Sequence, residues 1–342
     1  REVAPGCPLT SSLQPSPLFE QIIPTNSGPS TLKPFVNSAG EPKNPLKLAL
    51  SKLESPTITF DHKLVQKCAK RMLVDYGRQK RLDWYGEQRN GKLTDTENIV
   101  GVEGDKWIKP INMKTSPGYP YILAGNKSKF VNFEEATMNP ILKKAMDERE
   151  RCCRMSQEMP ALMVDVLKDE RLSNDKREKG KVRIFNVCPL DFNLLVRKYF
   201  TRFMAQMMQH HIDGEVSVGL NVHSDDWQAF YLRLQKSGSH WIAGDYSAWD
   251  KRMPLPIALA LLPLVEEFYK QFDDYDPLDA EVRRVLLLQA FQSVRLAQTQ
   301  TKGLIYRVHQ SMPSGIAVTA VYNSLINALL FRVIYAELAM AN

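Results

Sequence analysis

Residues 311–327 read Ser-Met-Pro-Ser-Gly-Ile-Ala-Val-Thr-Ala-Val-Tyr-Asn-Ser-Leu-Ile-Asn. A Pro-Ser-Gly turn opens an apolar helical pattern that runs over 316–340, roughly 37 Å at 1.5 Å per residue. A helix of that length and character needs cover on most sides, so the chain must build a large core around it. Thr319, Asn323 and Asn327 follow one another at four-residue intervals, which stacks three short polar groups on one face. Asn is a poor helix former, and two of them inside an apolar helix point to a task other than packing. Ser314 and Gly315 stand at the helix entrance. A hydroxyl and an amide beside a carboxylate can hold a ribose 2′-hydroxyl through donor and acceptor bonds. The plainer alternative is a helix cap at Ser314 with the other polar groups satisfied between helices.

The carboxylate that such a reading needs lies upstream, in His240-Trp-Ile-Ala-Gly-Asp-Tyr-Ser-Ala-Trp-Asp250. The apolar run predicts a strand over His240–Tyr246 that ends on Asp245, with Asp250 five residues on. About four acidic pairs at this spacing are expected by chance from 38 acidic residues, so the setting carries the argument. A strand-end carboxylate suits Mg2+, which takes one or two carboxylates and completes its shell with water and phosphate oxygens. The alternative is a surface loop at Asp245 and a helix N-cap at Asp250. Lys168, Lys176, Lys181 and Arg183 form a charged excursion between two short apolar stretches and would suit a triphosphate, since Arg supplies a fork and Lys a point charge. On charge alone a solvated hairpin tip explains them better. Lys114-Thr-Ser-Pro-Gly-Tyr-Pro can meet a phosphate backbone through its N–H groups, although by itself it is only a turn.

Composition narrows the classes. The chain has 342 residues, 44% hydrophobic and 24% charged, which fits a globular protein of more than one lobe. A net charge of +7 accommodates a polyanionic partner without demanding one. Cys7, Cys68, Cys152, Cys153 and Cys188 show no zinc spacing, and their odd number argues against a disulfide scaffold. The six histidines show no ligand spacing, and a G-x-S-x-G elbow is absent. The longest apolar stretch, residues 257–265, falls short of the ~18–20 residues a membrane span needs. The chain begins at Arg1 rather than methionine, and is expected to be a processed product or a piece of a longer chain.

Ten of the 21 prolines lie in residues 1–60, which predicts an extended strap docked through Leu18, Phe19, Ile22, Ile23, Leu32 and Phe35. Helical periodicity follows over 61–89, with Leu64, Val65, Cys68, Met72 and Leu73 on one side, and over 134–156 as a surface helix. Leu162, Val164 and Val166, then Val182, Ile184 and Val187, predict two strands around the charged excursion. Asp191 is expected to cap a helix whose buried stripe is Phe192, Leu195, Val196, Tyr199 and Phe203. A helix bent at Pro263 is expected over 254–272, another helix over 281–298, and a strand over 303–309.

Taken in order, these segments resemble the RNA-dependent RNA polymerases of picorna-like positive-strand RNA viruses, the invertebrate and marine members in particular, over roughly residues 15 to 342. Gly244-Asp-Tyr-Ser-Ala-Trp-Asp-Lys-Arg-Met253 is similar to that family's first palm motif. Lys168-Asp-Glu-Arg171 with Gly180-Lys-Val-Arg183 is similar to the fingers motif over the NTP channel, and Lys114–Tyr121 to the template-entry loop. The resemblance implies an α+β right-hand fold. Residues 1–60 would be the strap or index finger, 61–190 the fingers, 191–275 the first part of the palm, 276–310 a fingers insertion and 311–342 the second part of the palm. It further implies Asp245 as catalytic metal ligand and Asp250, Ser314, Gly315, Thr319 and Asn323 around the ribose. Lys168, Lys176, Lys181 and Arg183 would meet the triphosphate, and Thr115, Ser116 and Gly118 the template. The implied cofactor is Mg2+, with Mn2+ as substitute. The implied partners are template and primer RNA, NTPs, a protein primer and other viral replication proteins, in host cytoplasm at membrane-associated replication complexes. The family's Tyr-Gly-Asp-Asp hairpin is missing before Asn342, so the expected piece has an incomplete palm and no thumb, and cannot sustain polymerisation alone. The alternatives are a non-catalytic RNA-binding fragment and a reverse-transcriptase-like polymerase; a phosphohydrolase ranks last because it leaves the Pro-Ser-Gly helix unexplained.

Overall fold

The structure is a computed structural model that describes residues 8–18, 25–54, 59–298 and 303–341. In the N-terminal arm, strand β1 (Ser27–Pro29) precedes a small hairpin of β2 (Phe35–Val36) and β3 (Pro42–Lys43) and helix α1 (Pro45–Leu50). The Asn44 side chain caps α1 by accepting the Lys47 N–H. Of the expected anchors, Leu32 is buried and Phe35 half-buried, whereas Leu18 is exposed; Phe19, Ile22 and Ile23 lie outside the described residues.

Helix α2 (His62–Arg78) is capped by Asp61 and buries Leu64, Val65, Cys68, Met72 and Tyr76, while Leu73 is only half-buried. After α3 (Asp95–Val100) and the short pair β4 (Val131–Asn132) and β5 (Thr137–Met138), Asn139 and Pro140 start α4 (Pro140–Arg154). One face of α4 is buried, so it is not purely a surface helix: Arg149 is enclosed and its Nη2 sits 2.8 Å from Asp191 Oδ2.

The next segment gives β6 (Leu162–Leu167), β7 (Arg171–Ser173), α5 (Asn174–Glu178) and β8 (Ile184–Val187), and leads into α6 (Leu190–Gln209). Asp191 does not cap α6; Pro189 holds the cap position and Asp191 lies inside the first turn. There the carboxylate still lies at the positive end of the helix dipole and also answers the buried Arg149. Arg149→Met should therefore cost about 3–5 kcal/mol in denaturant unfolding, by stranding a buried carboxylate. Adding Asp191→Leu should return much of that loss.

Helix α7 (Asp225–Lys236) precedes α8 (Leu255–Ala260) and α9 (Leu262–Tyr269), which are separated at Leu261 beside the expected Pro263 break. Helix α10 (Leu278–Phe291) stops earlier than its expected 281–298 span, because residues 294–298 form strand β9 (Val294–Gln298), paired with β10 (Gly303–Arg307). The burial alternates there, with Ser293, Arg295 and Ala297 inside, a period of two that favours a strand. The sheet order is β10-β9-β6-β8, with β6 parallel to β9 and antiparallel to β8. Helix α11 (Thr319–Ala341) packs against α2, α6 and α8, and Phe192, Tyr199, Phe203, Phe268, Phe291 and Tyr322 share the main core. Its last turns are not buried: Phe331, Tyr335 and Leu338 are exposed.

The expected strand at His240–Tyr246 does not form. The segment has no regular secondary structure and is exposed, and among the described residues no strand pairs with it. Alternating or apolar character makes a ladder only where a neighbouring backbone accepts the hydrogen bonds.

Candidate active site

A cavity of about 460 Å3 is lined by the charged segment around β7 and α5 and by the segment after residue 244. Its lining includes Lys168, Arg183, Asp245, Asp250, Lys251 and Ser314. Lys168 and Ser314 are 146 residues apart in sequence, yet they share one space.

Two backbone ties bring the acidic segment to the Pro-Ser-Gly turn. Asp250 O accepts from Met312 N at 2.9 Å and from Ser311 Oγ at 2.8 Å. Ser311 Oγ in turn accepts from Arg295 Nη2 at 2.9 Å, on strand β9. Ala248 makes the bend between Asp245 and Asp250 at φ +54°, in the left-handed region that a non-glycine residue enters at a cost of about 1–2 kcal/mol. The Asp250 carboxylate meets Lys251 Nζ at 2.9 Å. Among the described residues, no hydrogen bond or ion pair engages the Asp245 carboxylate, which faces the cavity. An acceptor-only group in that position fits a hard cation that draws its remaining ligands from water and phosphate. Among the described residues, no three His, Cys, Asp or Glu side chains gather to enclose an ion.

Ser314 is held from β8. Its Oγ accepts from Asn186 N at 3.0 Å, and its own N–H donates to Asn186 Oδ1 at 3.1 Å. Gly315 permits the approach: a Cβ there would lie 1.9 Å from Asn186 O. Asn186 Nδ2 donates to Asp165 Oδ1 at 2.6 Å, and the Tyr306 hydroxyl donates to Asp165 Oδ2. Burial pushes the Asp165 carboxyl above its usual range, against the Tyr306 bond and the Arg295 charge. The sequence reading missed Asp165, Asn186, Arg295 and Ser311. One signal was available: Asp165 interrupts the apolar strand Leu162-Met-Val-Asp-Val-Leu167, and a buried acid needs partners.

The cation wall is already paired in part. Arg183 forks onto Glu170, with Nε 2.7 Å from Oε1, and this bond and charge hold the Glu170 carboxyl below its usual range. Lys168 Nζ is 3.9 Å from the same carboxylate. The arm grips the neighbouring residue: Ser11 Oγ, Ser12 N and Ser12 Oγ donate to Asp169 at 2.5, 2.7 and 2.9 Å. Lys176 and Lys181 are exposed and do not line the cavity.

The remaining expected residues fall elsewhere. Thr319 Oγ1 donates to Pro313 O at 2.7 Å and Ile316 O at 2.9 Å, closing the turn before α11. Asn323 does not line the cavity, and its Oδ1 is enclosed without a hydrogen-bond partner. Asn327 Oδ1 accepts from the Tyr246 hydroxyl at 2.9 Å, tying α11 to the acidic segment. Thr115 and Ser116 are exposed on their loop, whereas Gly118 is buried at φ +73° with space for no Cβ, 2.2 Å from Cys188 O. Beneath this loop, buried Lys127 donates to Asn112 O at 2.8 Å and to Thr115 Oγ1.

Burial, with the Arg197 charge adding to it, pushes the Lys127 ammonium down to about 8. A lysine depressed in the fold binds its proton less tightly than in the unfolded chain. Its charge therefore costs stability below pH 8, and that cost disappears as pH rises toward 10.5. Relative to Lys127→Met, the wild type should gain about 1–3 kcal/mol between pH 7.5 and 10 in denaturant titrations. Parallel pH curves for the two proteins would remove the effect.

A four-stranded sheet over a helical body, with acids, cations and a sugar-sized polar turn around one cavity, has the architecture of the right-hand polymerases. The chain superposes on the Sicinivirus 3Dpol RNA-dependent RNA polymerase with a TM-score of 0.76 at 20% identity, covering 97% of this chain and 65% of that one. Residues 42–341 match the family model of viral RNA-dependent RNA polymerases, and the chain belongs to that family. It is 31% identical to the replicase polyprotein of Drosophila C virus over 347 residues, covering 96% of this chain and 19% of the polyprotein. It is 30% identical to the replicase polyprotein of acute bee paralysis virus over 299 residues, covering 83% of this chain and 15% of the polyprotein. The chain thus spans less than a fifth of those polyproteins. Among the described residues no helix is long and apolar enough to cross a membrane.

Proposed function

We propose that this chain carries the nucleotide site of a viral RNA-directed RNA polymerase, which joins an NTP to the 3′-hydroxyl of an RNA primer on an RNA template. The observation that carries the reading is the shared cavity: a free carboxylate at Asp245, cations at Lys168 and Arg183, and hydroxyl and carboxylate groups at Ser314 and Asp250. Asp245 would hold Mg2+ or Mn2+, which when bound neutralises charge developing on the transferring phosphate. Lys168 and Arg183 hold the triphosphate, for which Arg183 must exchange Glu170 for phosphate oxygens. Lys176 and Lys181 act earlier, as exposed charges that draw the triphosphate toward the channel.

Asp250 and Ser314 read the ribose. Asn323 joins them through its unpartnered Oδ1 once α11 adjusts to the bound sugar, while Gly315 and Thr319 shape the turn that presents Ser314. Thr115 and Ser116 meet the template backbone from a loop that Gly118 folds. The finer reading of fingers and palm segments is supported by the superposition on the Sicinivirus chain. Template and primer RNA, a protein primer and replication proteins on a cytoplasmic membrane complete the reading.

Single-nucleotide extension of an RNA primer by the polymerase containing this chain tests it. Asn323→Ala should lower the preference for rNTP over dNTP by about 1–3 kcal/mol, the scale of a lost buried hydrogen bond. An unchanged preference removes Asn323 from the ribose, and salt-sensitive RNA binding without any extension leaves only the RNA-binding alternative.

A further inference from the structure

Two residues outside every recognised motif meet behind the Ser314 wall. Asp165 on β6 and Asn186 on β8 stand directly opposite one another in the antiparallel register, and their exposures are 2% and 3%. The Asn186 side chain has an acceptor on one side and a donor on the other. Its Nδ2 gives a proton to Asp165 Oδ1 at 2.6 Å, and its Oδ1 receives the Ser314 N–H at 3.1 Å. Only one of the two amide orientations satisfies both contacts. Turned over, the amide would set its NH2 against the Ser314 N–H and its carbonyl against a carboxylate. The Tyr306 hydroxyl and the buried Arg295 keep that carboxylate supplied with a proton donor and a nearby positive charge.

The same residue fixes the serine side chain. The Asn186 backbone N–H occupies one lone pair of Ser314 Oγ at 3.0 Å, which leaves the hydroxyl proton and the second lone pair for the cavity that Ser314 lines.

We propose that Asp165 and Asn186 are positioning residues for ribose selection: Asp165 locks the Asn186 amide, and the locked Asn186 presents the Ser314 hydroxyl to the 2′-hydroxyl of the incoming nucleotide. This rests on the assignment of Ser314 to the ribose. A deoxynucleotide makes no such contact, so the pair acts on rNTP use and spares dNTP use.

The test exploits the fact that the two side chains can be exchanged. In Asn186→Asp, two carboxylates face each other across the 2.6 Å contact and repel. In the double variant Asp165→Asn with Asn186→Asp, the new amide donates to the new carboxylate, which still accepts the Ser314 N–H, and Tyr306 still finds an acceptor. Steady-state kcat/KM for a ribonucleotide and its 2′-deoxy counterpart is measured in the polymerase containing this chain, with melting temperatures alongside. Asn186→Asp should lower kcat/KM for rNTP at least tenfold and for dNTP less than threefold, and the exchanged pair should return the rNTP/dNTP ratio to within threefold of wild type. Asp165→Asn, which keeps volume and one acceptor oxygen, serves as the single variant if Asn186→Asp does not fold, and should lower the ratio by a smaller factor. A wild-type ratio in the folded single variants, or an exchanged pair that melts like wild type yet stays unselective, overturns the proposal. A wild-type enzyme that does not discriminate overturns the ribose assignment itself and takes the proposal with it.

Discussion

Replacing Asp245 by alanine should abolish nucleotide incorporation while leaving RNA binding in place. The Asp245 carboxylate is the cavity's unengaged anion, whereas the Asp250 carboxylate is engaged with Lys251. Losing it removes the group assigned to the metal, and charge stabilisation of a transferring phosphate by a metal is worth several kcal/mol. At 1.36 kcal/mol per tenfold, a loss of about 4 kcal/mol lowers the rate about a thousandfold. The side chain is exposed and makes no contact that folding depends on, so the melting temperature should not move. The loop of Thr115 and Ser116 assigned to the template is untouched and no basic group is lost, so a filter-binding curve with template RNA and its salt slope should stay close to wild type. Incorporation within tenfold of wild type would place the metal ligand elsewhere.

Gly315→Ala should be strongly destabilising. The added carbon would sit 1.9 Å from a main-chain oxygen of β8, and neither partner is the flexible end of a side chain. The turn must move off the strand, which breaks both Ser314–Asn186 hydrogen bonds. Two lost hydrogen bonds and a displaced turn together cost about 3 kcal/mol or more. The expected readings are a clear drop in melting temperature and, in whatever protein stays folded, a fall in ribonucleotide preference. A variant that melts with wild type would mean that the turn and strand are not in contact in solution.

Much of the fold could be read from local pattern. The α2 and α6 stripes, the two strands around the charged excursion, the break at Pro263 and the long helix after the Pro-Ser-Gly turn each depend on neighbours within a few residues. Three readings failed where the deciding partner is remote. The run at His240–Tyr246 has strand composition but, among the described residues, no strand pairs with it. Residues 294–298 continue a helical pattern, yet pair in parallel with β6, more than a hundred residues away. Asp191 looks like a cap, and is claimed by Arg149 from another helix.

The site divides along the same line. Residue type and spacing offered Asp245, Asp250, Ser314, Lys168 and Arg183 as candidates, the family resemblance gathered them into one site, and the fold sets all five around one cavity. Type and spacing also offered Lys176, Lys181 and Thr319, which the fold sets away from the cavity, since a charge run does not say which of its members faces inward. The support beneath Ser314 was decided in three dimensions alone. Asp165, Asn186 and Tyr306 come from three strands, and Asn186 reaches Ser314 across 128 residues of sequence. A hydrogen bond forms between groups that are close in space, and no periodicity in the chain encodes which strand will lie beside which turn. The chain's own order of residues thus determined the helices, the hairpin and the chemical inventory, while sheet pairing and the glycine-permitted approach of turn to strand determined which of those groups meet.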